Sequence, residues 1–104
     1  MPGKPVPSYT LRLQVRSDLE KIWRYSFQTW GMEQADAYVT ALVDRFDWLA
    51  ENPQMGRNRD DIKKGYRCFP EGQHLVFYTV SDDLIDIIGI VHQRQDVSSH
   101  LTEW

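Results

Sequence analysis

The chain has 104 residues, of which 41% are hydrophobic, 12% aromatic and 26% charged. This length supports one hydrophobic core and the composition is too apolar for a disordered chain, so we expect a single folded domain. Twelve basic and fifteen acidic residues give a net charge of −3. That balance argues against nonspecific binding of polyanions by the chain as a whole.

The cysteine content and the apolar runs bear on the cellular compartment. Cys68 is the only cysteine, so it cannot form an internal disulfide, which is typical of a reducing compartment. No apolar run reaches the roughly 18 residues that span a bilayer, and the first residues lack the apolar stretch of a signal peptide. We therefore expect a cytoplasmic protein that does not enter a membrane.

The N-terminal half predicts an arm, a short strand and two helices. Three prolines within residues 1–8 favour an extended arm, which leads to an edge strand beginning near Tyr9. Apolar residues recur with helical spacing over residues 13–30 and again over residues 32–49. Gly31 suits the left-handed position that often ends a helix, so the two helices should form an antiparallel hairpin.

The C-terminal half predicts strands joined by short turns. Residues 51–53 (Glu-Asn-Pro) should end the second helix because the residue before a proline is pushed out of the helical region. After a loop over residues 54–61, strand patterns follow at residues 66–69, 74–80 and 84–91. Short turns between them predict an antiparallel meander. The order is β-α-α-β-β-β, which predicts an α+β fold with the helical hairpin packed on a small antiparallel sheet.

The last predicted strand is apolar on both of its faces. Its odd positions are Ile85, Ile87, Gly89 and Val91, and its even apolar positions are Leu84, Ile88 and Ile90. Two helices can cover only one face, so either the arm and tail cover the other face or a partner does. The domain should span residues 9–101, between an arm of residues 1–8 and a tail of residues 102–104.

Charge is distributed unevenly along the chain. Between residues 57 and 67, five basic and two acidic residues give this window a charge of +3, which leaves −6 for the remainder. The basic residues are Arg57, Arg59, Lys63, Lys64 and Arg67. Such a window can bind phosphate or an acidic partner surface, or it can be a solvated loop whose charges pair internally.

Four polar residues lie on or just after strands that should be neighbours. They are Arg67, Tyr78, His92 and Arg94. Cleavage of RNA by its own 2′-hydroxyl needs a base, an acid and a cation, which these side chains can supply, although ordinary polar residues of a sheet surface are the alternative interpretation. The histidines at positions 74, 92 and 100 and Cys68 lack the spacing of a zinc site, and no phosphate-binding loop is present, so we expect no metal or cofactor.

Six short motifs occur in a fixed order along the chain. They are Asp18-Leu19-x-x-Ile22-x-x-Tyr25, Trp30-Gly31-x-x-Gln34-Ala35-x-x-Tyr38, Leu49-Ala50-Glu51-Asn52-Pro53-x-x-Gly56-Arg57, Ile62-x-x-Gly65-Tyr66-Arg67, His74-x-Val76-Phe77-Tyr78 and Ile90-Val91-His92-x-x-x-Asp96. The ordered series resembles the ParE toxins of the RelE/ParE superfamily over about residues 9–101. One departure is Arg12, where the family often has a small hydroxyl residue that caps the first helix.

The resemblance implies a type II toxin–antitoxin system. A ParD-like antitoxin would bind and neutralise the chain, and the free toxin would poison DNA gyrase by binding it, without sequence-specific contacts to nucleic acid. Helical spacing puts the large aromatic residues Phe27 and Trp48 away from the apolar stripes of the two helices, which indicates a contact surface. Together with the resemblance, this places the predicted antitoxin contacts at Trp23, Phe27, Trp30, Trp48, Arg57, Arg67 and Ile88.

The same superfamily contains RelE-like ribosome-dependent mRNA endoribonucleases, which are the alternative function. In that case Arg67, Tyr78, His92 and Arg94 would be the catalytic residues. A ribonuclease that acts on ribosome-bound RNA is expected to carry more lysine and arginine than this chain does, so binding is favoured over catalysis.

Overall fold

Two helices lie on one face of a five-stranded sheet in the computed structural model, which describes residues 9–82, 84–97 and 100. The elements are β1 (Tyr9–Leu11), α1 (Leu13–Trp30), α2 (Met32–Glu51), β2 (Arg57–Asn58), β3 (Arg67–Glu71), β4 (His74–Ser81) and β5 (Leu84–His92). The predicted α+β class, with a helical hairpin on a sheet, is confirmed. The predicted arm of residues 1–8 and tail of residues 102–104 lie outside the described residues.

The helical hairpin turns on one residue. Gly31 has φ of 97°, in the left-handed region that favours glycine, and its N–H donates to the carbonyl of Phe27 at 2.9 Å. The same glycine accepts from the N–H of Ala35 at 3.1 Å, so it ends α1 and begins α2. At the other end of the hairpin, α1 follows Arg12, whose side chain makes no capping bond. Helical spacing and the glycine therefore predicted this hairpin correctly.

The sheet has the strand order β1-β5-β4-β3-β2, and its last three strands in the sequence form the predicted antiparallel meander. Two details differ from the prediction. β1 pairs with β5 in parallel, from Tyr9 opposite Ile85 to Leu11 opposite Ile87, so the sheet is mixed. Parallel pairing is possible because the hairpin and the meander separate these strands in the chain, so that no tight turn joins them. Residues 57–58, predicted as loop, pair with β3 as a fifth strand.

A β-bulge decides which residues of β5 face the helices. Phe77 lies opposite Gly89, but the next residue, Tyr78, lies opposite Ile87, so Ile88 is an extra residue on β5. Strict alternation along this strand was therefore a wrong expectation. The buried cluster on the helix side of the sheet contains Ile85, Ile87 and Ile90. The buried cluster on the opposite side contains Ile88 and Val91.

The face of the sheet away from the helices is covered by the chain itself. The buried cluster on this face contains Tyr66, Cys68, Phe77, Ile88 and Val91, with Ile62, Leu75 and Val97 packed against it. Ile62 lies in the loop before β3, and Val97 lies in the segment after β5. These two segments bury the second apolar face of the central strands, which the sequence left to be covered either by the chain itself or by a partner.

A buried carboxylate ties α1 to β5 where β1 no longer covers that strand. Asp18 is 4% exposed, and its Oδ2 accepts the backbone N–H of Ile90 at 3.0 Å. Its Oδ1 lies 3.0 Å from Gln14 Nε2 and 3.1 Å from His100 Nε2. Asp18 therefore satisfies an N–H on the open edge of the sheet and links three parts of the chain.

The part of the chain that the structure describes contains neither a membrane-spanning helix nor a metal site. Neither helix is long and apolar enough to cross a membrane. No three histidine, cysteine or carboxylate side chains come together in a way that would hold a metal ion.

Candidate functional site

Two stacked aromatic rings project from the middle of α1. The rings of Trp23 and Phe27 lie 5.2 Å apart and 7° from parallel, and Phe27 remains 43% exposed. The indole N–H of Trp23 donates to Asp36 of α2 at 2.8 Å, which holds the pair in place. This pair, the α1 aromatic surface, is a fixed apolar surface that faces solvent, and such surfaces are typical of protein interfaces.

A second apolar group lies where the hairpin turns. Tyr25 and Trp30 pack edge to face with their ring centroids 6.2 Å apart, yet they are 63% and 60% exposed, and Met32 is 59% exposed. We call these three residues the hairpin tip. Tyr25 and Trp30 form an exposed aromatic pair, and Met32 adds a third exposed apolar side chain close by in the sequence. Exposed apolar surface of this kind commonly marks a binding site in soluble proteins.

Trp48 lies in a different environment from the other tryptophans of the predicted contacts. The guanidinium of Arg45 lies 4.7 Å above its ring, the ring of Phe69 lies 5.1 Å away, and Arg45 pairs with Glu71 at 2.8 Å. The helical rise separates Trp48 from the hairpin tip by about 24 Å along α2. It is half-buried, and part of its surface lines a separate cavity of about 360 Å³.

The basic window contains both internal and solvent-facing charges. Arg67 donates to the carbonyl of Gly56 at 2.7 Å and to the side-chain oxygen of Gln54 at 2.9 Å. Arg59 pairs with Asp61 at 3.0 Å, and the bond from Arg59 lowers the pKa of that carboxyl. Arg57 lies exposed on β2. Arg57 is thus better placed for an acidic partner than Arg67, whose guanidinium supports the loop after α2.

Ile88 does not belong to the exposed surface. The bulged residue of β5 is 0% exposed and packs among Tyr66, Phe77 and Val91 on the covered face of the sheet. A partner cannot touch it without displacing the loop before β3. In this structure Ile88 is therefore not accessible to a partner, because the loop before β3 and the segment after β5 cover it, which strand periodicity does not reveal.

The four residues of the ribonuclease alternative do not converge. Tyr78 is 0% exposed, and its hydroxyl accepts from the N–H of Gly56 at 2.7 Å and donates to the carbonyl of Pro53 at 2.8 Å. Burial raises the pKa of Tyr78. Arg67 is opposite Tyr78, but His92 is opposite His74, which lies four residues before Tyr78 on β4, a distance of about 13 Å along the strand. The hydroxyl and the imidazole therefore cannot act on one phosphate. Arg94 lies exposed beyond the end of β5.

The structure brings together a polar cluster that the sequence did not predict. Tyr38 of α2 lies 2.7 Å from His74 Nδ1, and its hydroxyl accepts the N–H of Gln73 at 2.9 Å. The rings of His74 and His92 are 5.1 Å apart, and the backbone N–H of Arg94 donates to His92 Nδ1 at 3.1 Å. Counting back from the β4–β5 turn without the bulge places His74 opposite Val91, so no local signal in the sequence indicated this pairing.

His74 should make stability depend on pH in a narrow range. Burial lowers its pKa from 6.5 to about 4, and the charge of nearby His92 acts in the same direction. Because the unfolded chain takes up this proton near pH 6.5, the folded state should lose stability as the pH falls from about 6.5 to 4. For a half-buried group the loss should be on the order of 1–2 kcal/mol.

Urea denaturation of the wild type and of His74→Gln at about pH 4.5 and about pH 7 measures this effect. The wild type should lose more stability than the variant between the two pH values. Equal losses would contradict the assignment to His74.

Three comparisons place the chain among known proteins. The family model described as "ParE toxin of type II toxin-antitoxin system, parDE" matches residues 9–97. The chain is 38% identical to "Toxin ParE1" of Mycobacterium tuberculosis over 94 residues, which cover 89% of this chain and 96% of the relative. It is 39% identical to "Toxin ParE1" of Caulobacter vibrioides over 93 residues, with the same coverage.

A solved structure supports the fold independently. The protein described as "Chromosomal ParDE TA system from P. aeruginosa" superposes with a TM-score of 0.71 at 20% sequence identity, covering 84% of this chain and 96% of that chain. At this identity the likeness concerns the fold, and the sequence relatives establish the family. The chain therefore belongs to the ParE toxin family of type II toxin–antitoxin systems.

Proposed function

We propose that this ParE-family toxin acts by binding DNA gyrase in the cytoplasm and is neutralised by a ParD-like antitoxin. The resemblance of its motifs to ParE toxins implies both partners. The family model and the solved ParDE system name a toxin–antitoxin pair, which supports the antitoxin, while gyrase rests on the resemblance alone. The observation that carries the proposal is the contrast between two regions. Apolar side chains are held exposed on the helical hairpin, while Tyr78, which a ribonuclease would use, is buried with its hydroxyl bonded on both sides.

The antitoxin-binding surface is centred on α1. The α1 aromatic surface and Trp30 supply large, ordered apolar groups, which dominate the energy of most interfaces. Trp48 and Arg57 provide further accessible contacts on other parts of the molecule. Arg67 acts indirectly by holding the loop at Gly56. An antitoxin that reaches these positions must wrap around the toxin, as extended or disordered segments do.

A supercoiling assay beside an mRNA cleavage assay on ribosomes tests the proposal. The purified chain should abolish DNA supercoiling by gyrase, leave ribosome-bound mRNA intact, and lose its effect when antitoxin is added. Because the toxin is proposed to inhibit gyrase by binding it and not by a chemical reaction, inhibition should rise with toxin concentration until the gyrase is saturated. mRNA cleavage with unimpaired supercoiling would support the ribonuclease alternative. If supercoiling is unimpaired and the mRNA stays intact, the proposed action on gyrase is wrong, and unimpaired growth on expression without antitoxin would then show that the chain is not toxic.

The antitoxin part of the proposal is tested by measuring the affinity of Phe27→Asp for the antitoxin. A carboxylate in place of the stacked ring should weaken antitoxin affinity by about tenfold or more, because a charge would be buried against an apolar partner. Gln28→Asp is the matched control, since Gln28 is an exposed neighbour on α1. It should bind within about threefold of the wild type. If both variants bind alike, the α1 aromatic surface is not the antitoxin site.

A further inference from the structure

A cavity of about 510 Å³ lies beneath the hairpin tip, between the helices and one end of the sheet. It is lined by Lys21, Ile22, Tyr25, Ser26, Trp30, Gln34, Tyr38, Gln73, His74 and His92. Its volume falls within the range of roughly 300–1,000 Å³ that is typical of ligand pockets. The α1 aromatic surface does not line it, so the cavity is a separate feature of the hairpin.

Most of the exposed surface of the cavity is apolar, although several polar side chains also line it. Ile22, Tyr25 and Tyr38 contribute ring and aliphatic surface, and Trp30 stands at the rim, where it also belongs to the hairpin tip. The cavity is therefore continuous with the exposed apolar patch. A side chain inserted from a partner that lies on the hairpin tip would leave water for a largely apolar environment, which is the usual setting of an interface hot spot.

The charge of the cavity selects the chemistry of that partner. Among the described residues that line it, none is acidic, and Lys21 forms no ion pair with a described carboxylate. His74 is held through its Nδ1 by Tyr38, so its ring is fixed in the wall. A lysine that pairs with no described carboxylate, beside mostly apolar walls, favours an apolar side chain that has a carboxylate next to it.

We propose that this cavity is the anchor site for the antitoxin, filled by one large apolar side chain while a neighbouring aspartate or glutamate pairs with Lys21. This inference rests on the proposed function, and it adds a residue and a pocket that the predicted contacts did not include. On a helical antitoxin segment the two groups are three or four residues apart, which places them on one face. Insertion into the cavity would thereby fix the position of the antitoxin at one point, while its other contacts are spread over the surface of the toxin.

The test measures the affinity of the ParD-like antitoxin for the wild-type toxin and four variants by isothermal titration calorimetry. The variants are Lys21→Glu, Lys21→Met, Trp30→Ala and the control Arg16→Glu, which reverses an exposed charge on the same helix away from the cavity. Lys21→Glu and Trp30→Ala should each weaken binding by about tenfold or more, and Arg16→Glu should stay within about threefold. Lys21→Met keeps the aliphatic stem, so it should bind better than Lys21→Glu and show a weaker dependence on salt than the wild type.

Three outcomes would overturn the inference. If the wild type binds antitoxin and both Lys21→Glu and Trp30→Ala match Arg16→Glu, the cavity is not the anchor site, while the proposed function stands. If Lys21→Glu instead lowers the melting temperature of the free toxin and leaves affinity unchanged, Lys21 supports the fold of the toxin and does not pair with the antitoxin. If the wild type does not bind antitoxin, the proposed function fails together with the inference.

Discussion

Replacing Gly56 with alanine should lower the free energy of unfolding by about 3 kcal/mol or more. A Cβ at this position would overlap the hydroxyl of Tyr78 and lie 2.6 Å from two of its ring carbons. The ring cannot move aside, because Tyr78 is 0% exposed and its hydroxyl is bonded to the carbonyl of Pro53. The substitution therefore combines overpacking of the core with the loss of a buried hydrogen bond.

Urea denaturation followed by circular dichroism measures this effect. Gln28→Ala, on the exposed side of α1, is the control and should change stability by no more than about 0.5 kcal/mol. Tyr78→Phe separates the two causes, because it removes the hydrogen bonds without adding an atom, and should cost about 1–3 kcal/mol. A stability of Gly56→Ala within about 1 kcal/mol of the wild type would show that the loop after α2 adjusts freely, contrary to the packing.

Replacing Asp18 with alanine should cost about 2–4 kcal/mol of stability. The substitution leaves the N–H of Ile90 without its acceptor and removes the group to which Gln14 and His100 are bonded. These losses occur where the carboxylate is 4% exposed, so water does not easily replace it. The edge of β5 and the segment that contains His100 should both become less protected.

Asp36→Ala is the matched control for Asp18→Ala. Asp36 also accepts one side-chain hydrogen bond, from Trp23 at 2.8 Å, but it is exposed on α2. Its loss should cost less than about 1 kcal/mol by urea denaturation. Hydrogen exchange provides a second measurement, since the Ile90 amide should exchange much faster in Asp18→Ala and at the wild-type rate in Asp36→Ala. Equal destabilisation by the two variants would contradict the special role of the buried carboxylate.

Local signals explain which parts of the fold were predictable. The hairpin follows from helical spacing on both sides of Gly31, and the meander follows from short turns between apolar runs. β2 was missed because two exposed residues, Arg57 and Asn58, carry no strand periodicity and pair only because β3 lies beside them. The parallel partner of β1 was likewise unreadable, since about seventy residues separate the two strands.

The same distinction applies to the candidate surface, where local spacing predicts the exposure of some residues but not of others. Exposed aromatic residues on α1, such as Phe27, could be predicted because their position on a helix follows from their spacing. The burial of Ile88 could not be predicted, because it depends on a bulge and on segments distant in sequence. The cavity beneath the hairpin tip depends on how α1, α2 and the end of the sheet meet, and Lys21 shows no unusual pattern in the sequence.

By itself, the sequence determined the family, the helical hairpin and the order of the elements, because motifs, helical periodicity and turn residues act over a few positions. Only the tertiary structure decided which face of β5 each residue occupies and what lies exposed around it. The physical reason is that one extra residue in a strand reverses the direction of every side chain beyond it. The bulge at Ile88 thereby sets His92 opposite His74 and closes one wall of the cavity.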